Sequence, residues 1–355
     1  MIIIKPTPLV SVCIFTYNRA RFLKEALDCF VKQISEIDQP VEVVISDNHS
    51  TDETEEVVKL YQSEYPYIVY SRNEENIGPN RNMLKAVTLA QGEYAWLFCD
   101  DDLIRRGALK KVLDVIAANP DVHVIHLNYS GWTTDMRQQV EAPSHQTQED
   151  RKVASGQEFL RLVDLAVGLG SSVIARRSEF LQTDPEKYFW TYLPHVWAVY
   201  RMAINRPCYY IAFPYLMRRV GDPSLASDVW PLIWPLLFTL YFPQLLNDLV
   251  PLGYPRQDID NARRKLMRRD NVAEILLSLR NTSPETRRQF RLLVFVRLHW
   301  RYAEFWYHLL PTLVFRVYMF IAAYRFIHWL DARTKGRLLP LLKMIRSRLI
   351  KFGVS

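Results

Sequence analysis

Cysteine and glycine are both scarce in this chain, and each shortage argues against a class of site. The four cysteines among 355 residues form no Cys-x-x-Cys pair and are widely spaced, at Cys13, Cys29, Cys99 and Cys208. This spacing argues against a disulfide framework or a zinc site and is typical of a reducing compartment. Glycine numbers only 11 against 20 prolines. None lies in "FTYNRARFL", residues 15–23, where a glycine-rich phosphate loop would follow the first predicted strand.

The start of the chain lacks the features of a secretory signal peptide. Residues 1–12, "MIIIKPTPLVSV", contain no basic first region, no long apolar stretch and no small-residue cleavage site. We therefore expect the protein to face the cytoplasm.

Acidic residues are scarce in the last hundred residues. Residues 256–355 contain 21 Lys and Arg against 7 Asp and Glu, whereas residues 1–255 contain 24 against 31. The net charge of +7 therefore combines an acidic body with a strongly basic tail. Such a tail predicts an anionic partner, either a membrane surface or a nucleic acid.

Two hydrophobic patterns alternate over the first 120 residues. Short apolar, β-branched runs indicate buried strands, and each is followed by a segment with apolar residues at helical spacing. The predicted strands are residues 9–17, 41–47, 67–72 and 93–99, and the predicted helices begin near Arg19 and cover 50–61, 81–92 and 107–120. This order predicts right-handed crossovers and a mainly parallel sheet in an α/β fold.

Beyond residue 120 the alternation weakens. Residues 123–132 read as a strand, 133–150 as a polar mobile loop, and 168–180 as a strand after a glycine turn. From about residue 229 the pattern is helical. We therefore predict an α/β domain over residues 1–228 and a helical region over 229–355.

Polar residues follow the predicted strands at the edge where ligands bind in such sheets. Thr16 to Arg19 end the first strand, Asp47 and Asn48 the second, and Asp100 to Asp102 the fourth. Three adjacent carboxylates at the end of a buried strand are unfavourable unless a cation neutralises them. Mg²⁺ and Mn²⁺ prefer carboxylate oxygens and bridge to phosphate. A solvated acidic turn is the alternative.

Four segments of the chain carry a pattern: "VSVCIFTYNRARFLKEAL", "VEVVISDNHSTDET", "NEENIGPNRNMLKA" and "GEYAWLFCDDDL". In their order and approximate spacing they resemble the inverting family 2 glycosyltransferases of the GT-A fold. The resemblance covers residues 9–220 and is closest to bacterial enzymes of surface-polysaccharide and O-antigen synthesis, including abequosyltransferase-like members. It implies a GT-A, Rossmann-like catalytic domain that transfers a sugar from a nucleoside-diphosphate sugar.

The resemblance implies a donor site at the sheet edge. The residues that it assigns to the nucleotide sugar are Thr16, Tyr17, Asn18, Arg19, Asp47, Asn48, Asn76, Gly78, Arg81, Asp100 and Asp101. Asp47 is suited to accept from a base N–H, and Gly78 with Arg81 at a helix start suits phosphate or base recognition. Ordinary capping and turn roles are the alternatives at both places.

The resemblance also implies a divalent metal, Mn²⁺ or Mg²⁺. We assign it to Asp102 and Asp100, with the ribose as the alternative partner of Asp100. The ion would act as a Lewis acid for the departing nucleoside diphosphate. Cys99 stands where many members of the family carry another acid of a DxDD motif, so which carboxylate binds the ion stays open.

An inverting transfer needs a base that accepts the proton of the acceptor hydroxyl. Members of the family usually carry an acid at the place where this chain has "TYLPHVWAVY", residues 191–200. His195 is the titratable candidate there, and a packed or capping histidine is an equal alternative. Asp184, Glu186 and Asp228 are reserve candidates for the base. The rings of Trp190, Tyr192 and Trp197 suit stacking on an acceptor sugar, with core packing as the alternative. Residues 216–230 suit a lid, from which Arg218 and Arg219 would reach the diphosphate when it closes.

The tail contains apolar segments that mix with basic residues. Residues 229–246 carry three prolines, which disfavour a regular helix, so we interpret them as a hydrophobic docking element. Residues 312–330 are apolar but contain two arginines near their ends, and a membrane span is an alternative there. Residues 336–352, "GRLLPLLKMIRSRLIKF", combine bulky aliphatic side chains with five basic residues, a composition that suits a helix in an anionic membrane interface. We therefore expect a peripheral protein on the cytoplasmic face of a bacterial inner membrane and a lipid-linked saccharide acceptor.

Other functions are alternatives to this interpretation. The basic tail also suits nucleic acid, although its aliphatic residues exceed what single-strand stacking requires, so no nucleic-acid partner is expected. A sugar nucleotidyltransferase would use acids and Mg²⁺ as well, and a non-catalytic polysaccharide-binding relative would share the fold. The sequence leaves the oligomeric state open, a homo-oligomer included.

Overall fold

The structure is a computed structural model, and it describes residues 7–222 and 237–266. The strands are β1 (Val10–Thr16), β2 (Val41–Asp47), β3 (Ile68–Arg72), β4 (Tyr94–Cys99), β5 (Leu103–Ile104), β6 (Val124–Trp132), β7 (Arg151–Val153), β8 (Val173–Arg176) and β9 (Cys208–Arg219). The α-helices are α1 (Ala20–Ile34), α2 (Thr54–Glu64), α3 (Pro79–Leu89), α4 (Ala108–Ala118), α5 (Gly156–Val163), α6 (Arg177–Leu181), α7 (Pro194–Ala203), α8 (Phe242–Leu249) and α9 (Arg256–Leu266).

Parallel pairing of β3, β2, β1 and β4 forms the first half of the sheet. Every residue of β2 is buried, as are nearly all of β1 and β4. That burial explains why their sequences are continuous apolar runs rather than alternating ones. The predicted strands and helices of the first 120 residues, and the predicted mainly parallel α/β sheet, are therefore confirmed.

A large aromatic cluster lies on the face of this half-sheet that α1 covers. The ring of Phe30 in α1 packs edge-to-face against Trp96 at 5.6 Å and against Phe98 at 4.7 Å. Because alternate strand residues face opposite sides, the buried Cys13 and Val44 lie on the other face, which α3 contacts. Helices on both faces leave only the rim of the sheet for a ligand.

The second half of the sheet is mixed. After β4 the strand order continues β8, β6, β9 and β5, with β8 antiparallel to both β4 and β6 and β5 antiparallel to β9. The long β9 runs parallel to β6 and carries its last residue, Arg219, back beside the end of β4. The two-residue β5 directly follows the acidic triplet, so its pairing with β9 fixes the triplet between two strands.

Two segments of the middle region differ in detail from the sequence interpretation. The segment predicted as one strand over 168–180 contains two short 3-10 turns, then β8 and then α6. The segment 133–150 has little regular structure, but it is tied to β6: Ser144 Oγ donates to Asn128 Oδ1 at 2.8 Å, and Asn128 Nδ2 donates to the His145 carbonyl at 3.0 Å. Loop residues thus border the sheet in an ordered conformation.

The chain divides into two compact units, and residues 247–262 belong to the unit that contains the sheet. Within that unit the Tyr254 hydroxyl donates to the Tyr200 carbonyl at 2.7 Å, and the Tyr188 hydroxyl donates to Asp248 at 2.8 Å. The described part of the other unit is helical and contains a π-helix, Leu237–Tyr241. Most of the predicted tail, including 312–330 and 336–352, lies outside the described residues.

Among the residues that the structure describes, no helix combines the length and apolar character needed to cross a bilayer.

Candidate active site

The ends of β1, β2 and β4 meet at one rim of the sheet. Thr16 is the register partner of Asp47, and Phe15 is the partner of Cys99. The sequence-predicted residues at these three strand ends therefore lie side by side, because parallel strands end at the same edge. The predicted clustering is thus borne out by the backbone alone.

Asp47 is fully buried, and both of its carboxylate oxygens are engaged. Oδ1 accepts from the backbone N–H of Ser50 at 2.9 Å and from its hydroxyl at 2.6 Å. Oδ2 accepts from the Tyr70 hydroxyl at 2.7 Å and lies 3.8 Å from Nε of Arg72. Burial, with this hydrogen bond, raises the pKa of Tyr70. Asp47 therefore shapes the loop after β2, and its predicted contact with a nucleobase stays a prediction.

A network of amide side chains joins the loops after β2 and β3. Asn48 Nδ2 donates to Asn76 Oδ1 at 2.7 Å, and Asn48 Oδ1 accepts from the backbone N–H of Ile77 at 2.9 Å. Asn73 Nδ2 donates to both Asn48 and Asn82, at 3.1 and 3.0 Å. Asn48 and Asn76 thus position these loops. Sequence reasoning missed Asn73 and Asn82, although both lie within the matching segment "NEENIGPNRN".

The N-terminus of α3 points out of this network. Gly78 precedes the helix with φ +83°, a left-handed conformation that favours glycine. The first turn has no side-chain cap hydrogen bond. Arg81 is exposed and lies 5.8 Å from the ring of Phe189. This arrangement leaves a positively polarised helix end and a cation at the rim, which suits an anionic ligand.

The loop after β1 is shaped by Asn18, which has φ +53°. Its Oδ1 accepts from the backbone N–H of Thr51 at 2.7 Å, which joins this loop to the one after β2. Tyr17 beside it is 43% exposed. Thr16 carries a buried hydroxyl with no hydrogen-bond partner among the described residues. The four predicted residues, Thr16 to Arg19, thus lie together at the end of β1, and the Tyr17 ring among them is exposed.

Asp100 pairs with Arg19. The Arg19 guanidinium lies 2.9 Å from Asp100 Oδ1 and 3.8 Å from Asp101. The Asp100 charge raises the pKa of Arg19. The second oxygen, Oδ2, is buried without a hydrogen-bond partner in the part of the chain described. Asp100 therefore faces the β1 loop with half of its carboxylate satisfied.

Asp102 is buried and faces away from Arg19. Its Oδ2 accepts from the Ser171 hydroxyl at 2.6 Å, and its Oδ1 accepts from the backbone N–H of Arg219 at 3.3 Å. The Arg219 side chain donates from Nε to the Asp101 carbonyl at 3.0 Å and also binds Glu25 at 2.5 Å. Sequence reasoning missed Ser171 and assigned Arg219 to a lid, whereas in this structure Arg219 is buried and holds the acidic loop.

Three potential metal ligands lie together. One ligand atom each from Cys99, Asp101 and Asp102 falls within 4.8 Å of the others. Burial, with the charge of the adjacent aspartate, raises the pKa of both Asp101 and Asp102. Such carboxylates are stabilised as anions by a cation, so the cluster fits a divalent metal. Of the predicted metal pair, Asp102 belongs to this cluster, whereas Asp100 is paired with Arg19.

His195 lies in the first turn of α7 and is buried. Its Nε2 is 3.0 Å from the Gly168 carbonyl oxygen, which requires the proton to be on Nε2. Burial lowers the pKa of His195 to about 4, opposed by the hydrogen bonds to the backbone of Gly168 and Val167. The histidine thus holds the turn that leads to Ser171. The reserve acids Asp184 and Glu186 are exposed, and Asp228 lies outside the described residues.

Of the three predicted stacking rings, one is exposed. Trp197 is buried and stacked on Tyr188 at 4.4 Å, and Tyr192 is half-buried. Trp190 is 47% exposed in the 3-10 helix Pro185–Thr191. That helix touches the start of α3, because Asn80 Nδ2 donates to the Phe189 carbonyl at 2.6 Å. Trp190 therefore lies on an element that is hydrogen-bonded to the start of α3.

Comparison with a family model gives one match. Residues 11–182 match the model described as Glycosyl transferase family 2. This range contains all of the predicted donor and metal residues and excludes His195.

Two curated relatives are similar to about a third of this chain. Abequosyltransferase RfbV of Salmonella typhimurium is 37% identical over 124 residues, which is 35% of this chain and 37% of that protein. GalNAc(5)-diNAcBac-PP-undecaprenol beta-1,3-glucosyltransferase of Campylobacter jejuni is 33% identical over 108 residues, 30% of this chain and 34% of that protein. The chain thus spans little more than a third of these relatives.

Solved structures show the fold. S. aureus TarS 1–349 has a TM-score of 0.59 with 19% identity, over 81% of this chain and 80% of that one. The same protein in complex with UDP-GlcNAc has a TM-score of 0.56 with 16% identity, over 83% and 87%. At this identity the likeness concerns the architecture alone.

Proposed function

The chain belongs, through residues 11–182, to glycosyl transferase family 2, and on that premise we propose that it transfers a sugar from a nucleoside-diphosphate sugar to a saccharide acceptor in cell-surface polysaccharide synthesis. The observation that carries the proposal is the clustering of buried Asp102, half-buried Asp101 and the Arg19–Asp100 pair at the rim where β1, β2 and β4 end. A divalent cation neutralises such a set of charges and bridges it to a diphosphate.

In the proposed complex the nucleoside lies over the ends of β1 and β2. Tyr17 offers an exposed ring to stack on, and Asp47 offers a carboxylate to a base N–H. Because Asp47 already accepts three hydrogen bonds, base binding would add to that set or replace the Tyr70 contact. The unpartnered hydroxyl of Thr16 would gain a partner in the ribose or base.

The diphosphate would lie between the α3 N-terminus and the acidic loop. Arg81 and the N-terminal end of the α3 helix dipole supply positive charge on one side. Asp101 and Asp102 would hold Mn²⁺ or Mg²⁺ on the other, and the ion, when bound, offsets the charge that develops on the leaving diphosphate. Ser171 and Arg219 hold Asp102 in place by the hydrogen bonds described above, and Arg19 holds Asp100.

The acceptor would approach from the side of Trp190. Its indole face suits a sugar ring, and the exposed Asp184 and Glu186 lie at the N-terminal end of the same short helix. His195 is the base that the sequence predicts, but its Nε2 donates to Gly168 in this structure, and this contact favours a positioning role. Inversion of configuration rests on the family resemblance.

We propose a lipid-linked acceptor on an anionic membrane surface, which the tail would bind peripherally at the cytoplasmic face. The basic, apolar composition of residues 336–352 supports this. The name of the Campylobacter relative, which includes an undecaprenol-linked saccharide, supports it for that type of enzyme. An enzyme and an acceptor that share one surface meet more often than in bulk solution.

The proposal is tested by a donor screen. Thermal melting is measured with UDP-, GDP-, CDP- and dTDP-sugars, each with Mn²⁺, and we expect one of them to stabilise the protein and to be hydrolysed slowly. Asp102→Asn should lose both effects, because it removes a buried anionic ligand at nearly constant volume. Asp114→Asn is the matched control, since Asp114 is an exposed acid on α4 paired with Lys110.

If none of the four donors shifts the melting temperature, the donor site is wrong. If Asp102→Asn keeps full Mn²⁺-dependent hydrolysis, the assignment of the metal to the acidic loop is wrong.

A further inference from the structure

Cys99 lies at a position where the surrounding atoms suit a ligand. It is the last residue of β4, half-buried, and its Sγ shares the cluster with carboxylate oxygens of Asp101 and Asp102. Its backbone N–H donates to Ser171 Oγ at 2.9 Å, and that hydroxyl in turn donates to Asp102. One serine therefore fixes the directions of both Cys99 and Asp102.

Two further observations indicate space and unsatisfied charge at this place. A Cβ at Gly170 would lie 3.7 Å from Cys99 Sγ, so glycine leaves the sulfur uncovered on that side. The next residue after Cys99, Asp100, has a buried Oδ2 with no hydrogen-bond partner among the residues described. The loop thus presents one sulfur and several oxygens, with Arg19 beside Asp100 and the Arg219 guanidinium bonded to the Asp101 carbonyl.

We propose that Cys99 Sγ is a third ligand of the divalent ion, beside Asp101 and Asp102, so that this site favours thiophilic cations more than an all-oxygen site does. The role of the ion rests on the proposed function, whereas the ligand set does not. On binding, the sulfur–metal bond forms as the thiol proton leaves to solvent.

The chemical basis is the difference between sulfur and oxygen ligands. Mg²⁺ binds oxygen almost exclusively, whereas Zn²⁺ and Cd²⁺ bind thiolate strongly and also accept carboxylate. Replacing one oxygen ligand by sulfur therefore changes which ion binds tightest without changing the number of ligands. In the part of the chain described, Cys13, Cys29 and Cys208 belong to no such cluster.

Cd²⁺ is the probe, because a cadmium–thiolate bond absorbs in the ultraviolet where cadmium carboxylates do not. Purified full-length protein is titrated with Cd²⁺ alone, and then with each of UDP, GDP, CDP and dTDP present. We expect a thiolate band that saturates at one ion per chain and is lost in Cys99→Ala, with Cd²⁺ affinity falling at least about tenfold.

Cys29→Ser is the matched control. Cys29 is also a half-buried thiol, but its Sγ lies 2.9 Å from the Ile104 carbonyl and outside the acidic cluster. This variant should keep the band. A band that persists in Cys99→Ala, or that is lost in Cys29→Ser, would overturn the proposal.

A second variant tests selectivity by melting temperature. Cys99→Asp restores an all-oxygen set, so stabilisation by Mg²⁺ and Mn²⁺ should rise while stabilisation by Cd²⁺ falls. Equal shifts for wild type and Cys99→Asp with all three ions would contradict the inference. If a saturating, Cys99-dependent band forms but no sugar nucleotide is consumed, the ligand set is correct and the proposed function is wrong. If Mn²⁺-dependent hydrolysis occurs but the band is absent, the proposed function is correct and the ligand set is wrong.

Discussion

At the scale of single residues, His195 shows how burial changes the meaning of a titratable group. A histidine at that place in the sequence suggests a base, but a buried imidazole with a pKa lowered to about 4 and its Nε2 proton on a carbonyl is a weak one. The same geometry gives His195 a different role, because it holds Gly168 at the start of the turn that carries Ser171. Two predictions separate these roles.

The first concerns stability against pH. Between about pH 6.5 and 4 the unfolded chain binds a proton at His195 that the folded protein does not, so the free energy of unfolding falls as the pH falls through this window, by up to about 3 kcal/mol. His195→Gln keeps an amide donor for Gly168 and does not titrate. Its urea-unfolding free energy should therefore depend less on pH over that range than that of wild type. Parallel curves would contradict the buried, neutral histidine.

The second concerns catalysis by the same variant. A lost general base lowers turnover by about a hundredfold or more, whereas a lost positioning contact that glutamine replaces changes it only a few-fold. From the geometry we expect the smaller effect on kcat at pH 7.5, with Asp102→Asn as the inactive reference. A drop as large as that of Asp102→Asn would establish His195 as the base.

At the scale of elements, the 3-10 helix Pro185–Thr191 links the donor rim to a candidate acceptor surface. It contacts the start of α3 through Asn80, and its buried Tyr188 stacks on Trp197. These contacts anchor the helix while Trp190 stays 47% exposed. A ring that is held by its backbone but exposed at its face can stack on a sugar at small entropic cost.

We therefore predict that Trp190→Ala raises KM for the acceptor about fivefold, equivalent to about 1 kcal/mol of stacking, while donor hydrolysis without acceptor changes little. Initial rates at varied acceptor concentration measure this. Leu60→Ala is the control, because Leu60 is a 57% exposed apolar side chain on α2. Unchanged acceptor KM in Trp190→Ala would remove this helix from the acceptor site.

The strands show which parts of the fold a local hydrophobic pattern in the sequence predicts and which it does not. Continuous apolar runs predict the bounds of β2, and those of β1 and β4 to within a residue or two. Such runs are typical of strands in a parallel sheet that is covered on both faces. The pairing of β9 with β5 cannot be predicted in this way, because a two-residue strand is too short to show a hydrophobic periodicity. It is nevertheless this pairing that brings Arg219 to the acidic loop.

At the scale of the whole molecule, the charge distribution separates a body from a tail. The first 255 residues are acidic overall and place carboxylates at the rim of the sheet, where we expect a cation. The last hundred residues are basic overall, and the proposed donor site does not use their charge. We therefore expect the basic tail to bind an anionic surface rather than the sugar-nucleotide donor.

This predicts salt-dependent binding to anionic vesicles. Neutralising Lys343, Arg346 and Arg348 together by glutamine should weaken binding by about 3 kcal/mol, about a hundredfold, at low salt. Co-sedimentation with vesicles of anionic and of neutral lipid measures it. The control neutralises three exposed lysines of the body, Lys24, Lys59 and Lys110, each paired with an acid one helical turn away.

Equal loss in the control would mean that overall charge, and not the tail, drives binding. Binding to DNA in place of vesicles would favour the nucleic-acid interpretation of the basic tail.

The sequence by itself determined the parallel half of the sheet and the rim where its polar residues collect. Hydrophobic periodicity is local, and the end of a strand follows directly from where its apolar run stops. Only the tertiary structure decided how the carboxylates divide their partners: Asp100 with Arg19, 81 positions away, and Asp102 with Ser171, 69 positions away. It also placed the Cys99 sulfur within 4.8 Å of carboxylate oxygens of Asp101 and Asp102. Such choices depend on the packing of remote segments against one another, and no short stretch of sequence contains that information.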